Sequence, residues 1–227
     1  MEKRKILFLI IFIIIGLIAF QISINQIVGS SQNFTLFEFL GPIGGMFLGP
    51  ILGAVSTFFV RMFNVIIHQQ SLDFLTIVRF LPAISAAFYF GLKQKKTAII
   101  FPVCIALFLL NPIGRQAWMY SLIWLIPFIA SFGKKRLILN SLGATFTAHA
   151  VGSVIFLYSF GLTPAIWVSL IPVVLIERGI FTLGIWGSCL IFNFVLDKLT
   201  DFRAVSFLKP LVNKNYLIST NFFRQFA

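Results

Sequence analysis

A chain of 227 residues in which 59% are hydrophobic and 11% charged cannot cover the surface of a soluble domain. Its mean hydropathy is +1.00, and its apolar runs are divided by short polar or basic breaks, so the composition predicts an all-α polytopic membrane helix bundle forming one domain over 1–227. The formal charge of +12 does not imply a nucleic-acid partner, because the lysines and arginines cluster beside apolar runs as they do in cytoplasmic loops.

Lys3-Arg4-Lys5 precedes a run from Ile6 to Val28, too long for a signal peptide and without a small-residue cleavage site. It is read as an uncleaved first span with residues 1–5 in the cytoplasm, followed by an outer loop, Gly29 to Asn33. The next stretch, Leu36 to His68, would be roughly 50 Å long as one helix, well beyond a hydrocarbon core of about 30 Å. It therefore breaks, and Gly49-Pro50 is the expected point, giving a short second span (Leu36 to Leu48) and a third (Ile51 to His68). Gly41, Gly45, Gly49 and Gly53 recur at every fourth position, which predicts a small-residue face where another backbone approaches. Irregular backbone here serves either packing alone or a neighbouring substrate cavity. The fourth span is Leu72 to Leu92. Residues 97–110 and 117–132 form a short hairpin turning at Asn111 to Arg115. Leu137 to Phe160 and Ala165 to Leu196 complete about eight spans, before a basic cytoplasmic tail over 198–227.

The basic residues test this topology. Of 18 lysines and arginines, all but Arg61, Arg79, Arg115 and Arg178 fall in the segments assigned to the cytoplasm. A single crossing over 36–68 would reverse the parity and put Lys93–Lys96 and Lys134–Arg136 outside. The charge pattern thus favours the break, independently of the glycines.

Ionisable groups within spans point to function by default. Arg61, Asn64 and His68 share a helical face, Arg79 lies in the outer half, and His149 and Glu177 fall near mid-membrane. With Trp118 these form the candidate substrate site: Arg61, Asn64, Arg79, His149, Glu177 and Trp118. Arginine without lysine suits bidentate recognition of a carboxylate or phosphate, so the expected ligand is a small anionic metabolite. Packing explains much of the same pattern. Glu38, Asp73 and Glu177 could pair with the arginines internally, His149 could be a hydrogen-bonded packing residue, and Trp118, Tyr120 and Trp124 could form an interfacial belt. Cys104 and Cys189 read as reduced core residues. Two distant histidines give no metal site, and neither a nucleotide motif nor a Gly-x-Ser-x-Gly element is present, so no cofactor and no catalytic residue is assigned. A membrane enzyme acting on lipid or isoprenoid substrates, with His149 and Glu177 as acid and base, and a subunit with no ligand remain open beside transport.

The segment Leu40-Gly-Pro-Ile-Gly-Gly-Met-Phe-Leu-Gly-Pro-Ile-Leu-Gly-Ala54, and the last-span opening Leu170-Ile-Pro-Val-Val-Leu-Ile-Glu-Arg178, resemble the substrate-binding S components of energy-coupling factor vitamin transporters. The resemblance implies a small helical membrane protein with a vitamin pocket in its outer half. It also implies coupling to a partner membrane subunit and two cytoplasmic ATPases. Gly16, Ala19 and Ser23 match the family's small-residue surface on span 1 loosely. The family usually has six spans, so the 97–132 hairpin would be an addition.

Overall fold

The computed structural model describes residues 3–26, 33–92, 94–133, 136–203 and 205–217. Most of the expected loop Gly29–Asn33, Lys93, Lys134, Lys135 and residues 218–227 lie outside the described residues. The chain is helical nearly throughout, in the order α1 (Lys3–Phe20), strands β1 (Ser23–Gln26) and β2 (Asn33–Thr35), α2 (Phe37–Leu40), α3 (Ile43–Leu48), α4 (Pro50–Ile67), α5 (Phe74–Val78), α6 (Leu81–Gly91), α7 (Gln94–Thr97), α8 (Ile100–Leu110), α9 (Pro112–Gln116), α10 (Trp118–Ser121), α11 (Leu125–Ala130), α12 (Leu137–Ser159) and α13 (Pro164–Leu199).

Among the described residues, four helical stretches are long and apolar enough to cross a membrane: Pro50–Ile67, Phe74–Gly91, Leu137–Ser159 and Pro164–Leu199. Shorter apolar helices at Lys5–Phe20, Phe37–Leu48, Ile100–Leu110 and Trp118–Ala130 occupy the other expected positions. These surfaces are compatible with a membrane protein. On α1, for example, Phe8, Phe12 and Ala19 are buried while Ile10, Ile14 and Ile18 are exposed. The first helix is shorter than expected, ending at Phe20 rather than Val28. Continuing it would carry the polar Gln21, Ser23, Asn25 and Gln26 along an apolar run. Instead Ser23–Gln26 pairs antiparallel with Asn33–Thr35 across a bulge, so backbone groups bond between strands.

The break falls at Gly49, whose φ of 85° and ψ of 170° lie in a region almost confined to glycine. Pro50 then opens α4 at its first position, where a missing N–H leaves no hydrogen bond unmade. The two helices fold back antiparallel about this point. The Thr57 hydroxyl reaches toward the Gly41 carbonyl, and a Cβ on Gly53 would lie 2.5 Å from the Gly45 backbone. A Cβ on Gly45 would in turn collide with the Ala87 carbonyl of α6, and one on Gly91 would meet Pro50. Gly45, Gly53 and Gly91 thus bring three backbones, α3, α4 and α6, into direct contact. Gly41 and Gly49 do not share that interface: Gly41 faces the Phe37 ring, and nothing lies within 4 Å of a Cβ on Gly49.

α12 packs against both α6 and α13 and is the centre of the bundle. Gly143 of α12 leaves the space that the Tyr89 side chain of α6 fills. Rings of Phe8, Phe12, Phe47 and Phe192 tie α1, α3 and α13 together at centroid separations of 5.2 to 6.3 Å. α13 has 36 residues, roughly 54 Å of helix, and so outruns a hydrocarbon core. Its far end is clamped by the segment that follows. The fully buried Asn193 amide donates to the carbonyls of Asn213 and Tyr216, both at 3.0 Å, and accepts from the Asn213 N–H at 2.8 Å.

Candidate functional site

At the end of the bundle away from Gly49, the chain encloses a half-open cavity of about 220 Å³. Its walls come from the C-terminal turn of α1, strand β2, α2, the C-terminal half of α4, the start of α6, α10, and the facing halves of α12 and α13. Phe20, Phe34, Tyr120, Phe156 and Trp167 supply aromatic surface, and Glu38, Arg61, His149, Ser153, Glu177 and Arg178 the polar groups. An apolar pocket with a few convergent polar side chains is the usual form of a small-molecule site, and this volume lies somewhat below the usual range of about 300–1,000 Å³.

Both arginines are held by glutamates. Arg61 of α4 donates from Nη2 to Glu38 Oε1 of α2 at 2.6 Å, and its guanidinium lies 5.4 Å from the centre of the Phe20 ring. Arg178 is buried; it donates from Nη2 to Glu177 Oε2 and from Nη1 to the Thr145 hydroxyl, each at 3.3 Å. The Phe181 and Phe34 rings flank its guanidinium at 4.3 and 5.2 Å. Paired in this way, the four charges leave the cavity wall without formal net charge. The Nε atoms of Arg61 and Arg178 are buried and have no hydrogen-bond partner among the described residues, and the same holds for Trp167 Nε1.

His149 sits in a directed chain of hydrogen bonds. The indole N–H of Trp124, which can only donate, points at His149 Nδ1 at 3.0 Å. Nδ1 is therefore the acceptor, and the neutral ring carries its proton on Nε2, which faces the Tyr120 hydroxyl at 2.9 Å. The Tyr120 hydroxyl accepts that bond and shares another with Ser153 Oγ at 3.1 Å, in which either hydroxyl can donate; Ser153 Oγ also lies 3.4 Å from His149 Nε2. The chain runs Trp124, His149, Tyr120, Ser153, with its direction fixed as far as Tyr120. Tyr120→Phe is expected to lower stability by about 1–3 kcal/mol, because it strands buried donors and acceptors at both of its neighbours. Thermal denaturation in detergent checks this. Tyr158→Phe, which removes one bond from an exposed hydroxyl to the Leu107 carbonyl, serves as the near-neutral comparison.

Of the residues expected from sequence, Arg61, His149 and Glu177 line the cavity together, and Asn64, Arg79 and Trp118 do not. Asn64 is buried and accepts a hydrogen bond from Gln21, just beyond the end of α1, at 3.1 Å. Arg79 caps α5 and stacks on the Phe160 ring at 5.5 Å. Trp118 is 52% exposed, as a belt residue would be, and His68 lies exposed at the end of α4. Asp73, in the connection before α5, accepts from the Thr76 N–H as the helix cap, and that bond holds its carboxyl below the usual range. Glu38, Tyr120, Ser153, Trp167 and Arg178 belong to the wall although sequence reasoning did not choose them. The signal for Arg178 was its lack of any lysine-rich context. Tyr120 differs from Trp118 in which face of α10 it occupies, being 2% exposed where Trp118 is 52%.

An uncharacterized protein of Methanocaldococcus jannaschii is 28% identical to this chain over 243 aligned positions, which take in 95% of this chain and 80% of the relative. No family model matches the chain, and no solved structure matches it.

Proposed function

We propose that this chain is a membrane-embedded capture subunit for a vitamin or other small metabolite, working within a transporter. The observation that carries the reading is the cavity at one end of the bundle, where polar groups from α2, α4, α12 and α13 converge on an aromatic-lined space. The resemblance of 40–54 and 170–178 to S components of energy-coupling factor transporters supports it. The chain has no nucleotide motif, so active uptake would draw on a coupling membrane subunit and ATPase subunits. Acid–base chemistry on lipid is less well supported, since Trp124 and Tyr120 engage both ring nitrogens of His149.

The topology belonging to this reading has eight passes, both termini in the cytoplasm of a cell-membrane protein, and the cavity facing outward. Single cysteines at positions 70, 94 and 113 test it, against a low background because Cys104 and Cys189 are buried. Positions 70 and 113 are expected to react with an impermeant reagent from outside and 94 only from inside. Outside labelling of 94 overturns the arrangement.

Capture itself is tested by a cavity-filling variant. Gly152 lines the cavity, and a Cβ there meets only Pro82, at ordinary contact distances of 3.5 and 3.8 Å. Protein purified in mild detergent is expected to retain a small molecule detectable by mass spectrometry, and Gly152→Leu to lose it while still eluting as one monodisperse peak. Retention of nothing beyond lipid and detergent by the wild type removes the proposal.

A further inference from the structure

We infer that the molecule captured carries no net charge and binds chiefly through hydrogen-bond acceptors; this rests on the capture reading above. Three observations fix the chemistry. The wall holds Glu38, Arg61, Glu177 and Arg178, two of each sign and each arginine within salt-bridge distance of a glutamate, so an ionic ligand would have to displace a pair already made. His149 adds no charge, because the Trp124 N–H needs the lone pair that protonation would remove.

The second observation is the sign of what is left over. Arg61 Nε, Arg178 Nε and Trp167 Nε1 are buried N–H groups without a partner among the described residues. All three residues line the cavity, and Arg178 and Trp167 are 3% and 2% exposed. A buried donor left unmade is costly, and such groups in native proteins call for a partner. The third observation is the direction of the relay. Because Trp124 donates to His149 and His149 to Tyr120, the Tyr120 and Ser153 hydroxyls have one bond between them and two protons, so whichever of them donates, the other's proton is left to donate at the cavity wall that both residues line. The buried side-chain atoms left without a partner on cavity-lining residues are thus all donors. A ligand offering carbonyl or ring-nitrogen acceptors on an apolar, planar frame completes them, and the rings of Phe34, Tyr120, Phe156 and Trp167 give such a frame its surface.

Matched probes separate this from an anion site. Uracil against orotate, and benzamide against benzoate, differ mainly in one carboxylate. At about 10 mM, enough to populate a site with a Kd in the millimolar range, the neutral member of each pair is expected to raise the melting temperature of the full chain in detergent, and the anion not to. Trp167→Phe keeps an aromatic ring but removes the indole N–H together with the five-membered ring that carries it. It is expected to weaken benzamide at least threefold more than toluene, which fills the same space without an acceptor, where a purely structural role for the indole would weaken both alike. Stabilisation by the anions in preference overturns the neutral assignment and leaves capture standing. A neutral-probe shift that survives in Gly152→Leu comes from elsewhere and overturns both. No shift from any probe, or unchanged binding in Trp167→Phe, overturns the donor assignment.

Discussion

Gly45→Leu is expected to leave almost no folded protein. Even the first carbon of the new side chain would coincide with the Ala87 carbonyl and crowd the Gly91 nitrogen, both backbone atoms of α6. No rotamer relieves a collision at Cβ, so α3 must separate from α6, and α4, which rests on Gly45 through Gly53, must move with it. Overpacking usually costs about 1–3 kcal/mol, and a clash with a main chain belongs above that range. Size-exclusion profiles of detergent extracts should show loss of the monodisperse peak. Gly49→Ala is the informative comparison. It has open space around it but a backbone conformation that side chains rarely adopt. A smaller loss of about 1–3 kcal/mol is expected there, from strain alone. Equal behaviour of the two variants would mean that the close approach of α3 to α6 is not what holds the bundle.

Arg178→Met is expected to lower stability by about 1–3 kcal/mol, since it removes a guanidinium that is 4% exposed, with its ion pair to Glu177 and its donor to Thr145. Arg61→Met should cost less, because the Arg61 side chain is 17% exposed and its pair with Glu38 is partly screened by solvent. Arg79→Met, which gives up a stack on Phe160 and no ion pair among the described residues, should stay within about 1 kcal/mol. Melting curves of the three variants under one condition read the order directly. Arg79 more damaging than Arg178 would contradict the burial on which the ranking rests.

The break at Gly49 was legible because three local signals agree there: a four-residue glycine spacing, a following proline, and an apolar run too long to cross once. The glycines themselves divide in a way spacing does not reveal. Reversal at Gly49 turns one helical face into two facing ones, so Gly45 and Gly53 meet each other while Gly49 becomes the turn. The strand pair was not legible, since Ser-Ile-Asn-Gln and Asn-Phe-Thr show no sustained alternation and are held by pairing with each other. For the site, an ionisable group inside an apolar run led to Arg61, His149 and Glu177, which line the cavity together. It led equally to Arg79, which lies away from the cavity, because depth along a helix says nothing about the direction a side chain takes around it. Tyr120 and Trp167 escaped notice for the opposite reason: an aromatic residue near a membrane boundary has an ordinary explanation, and only the three-dimensional arrangement separates it from a residue of the cavity wall.

The clamp on Asn193 sets how much of the C-terminus can be removed. Ending the chain before Asn213 would strip a fully buried amide of all three of its hydrogen bonds at once. Ending it after Leu217 keeps every one. Truncation should therefore be tolerated down to a sharp boundary between these positions and not decline gradually with length. A reporter or affinity tag belongs beyond Leu217, joined through a spacer, so that its bulk does not pull the strap away from α13.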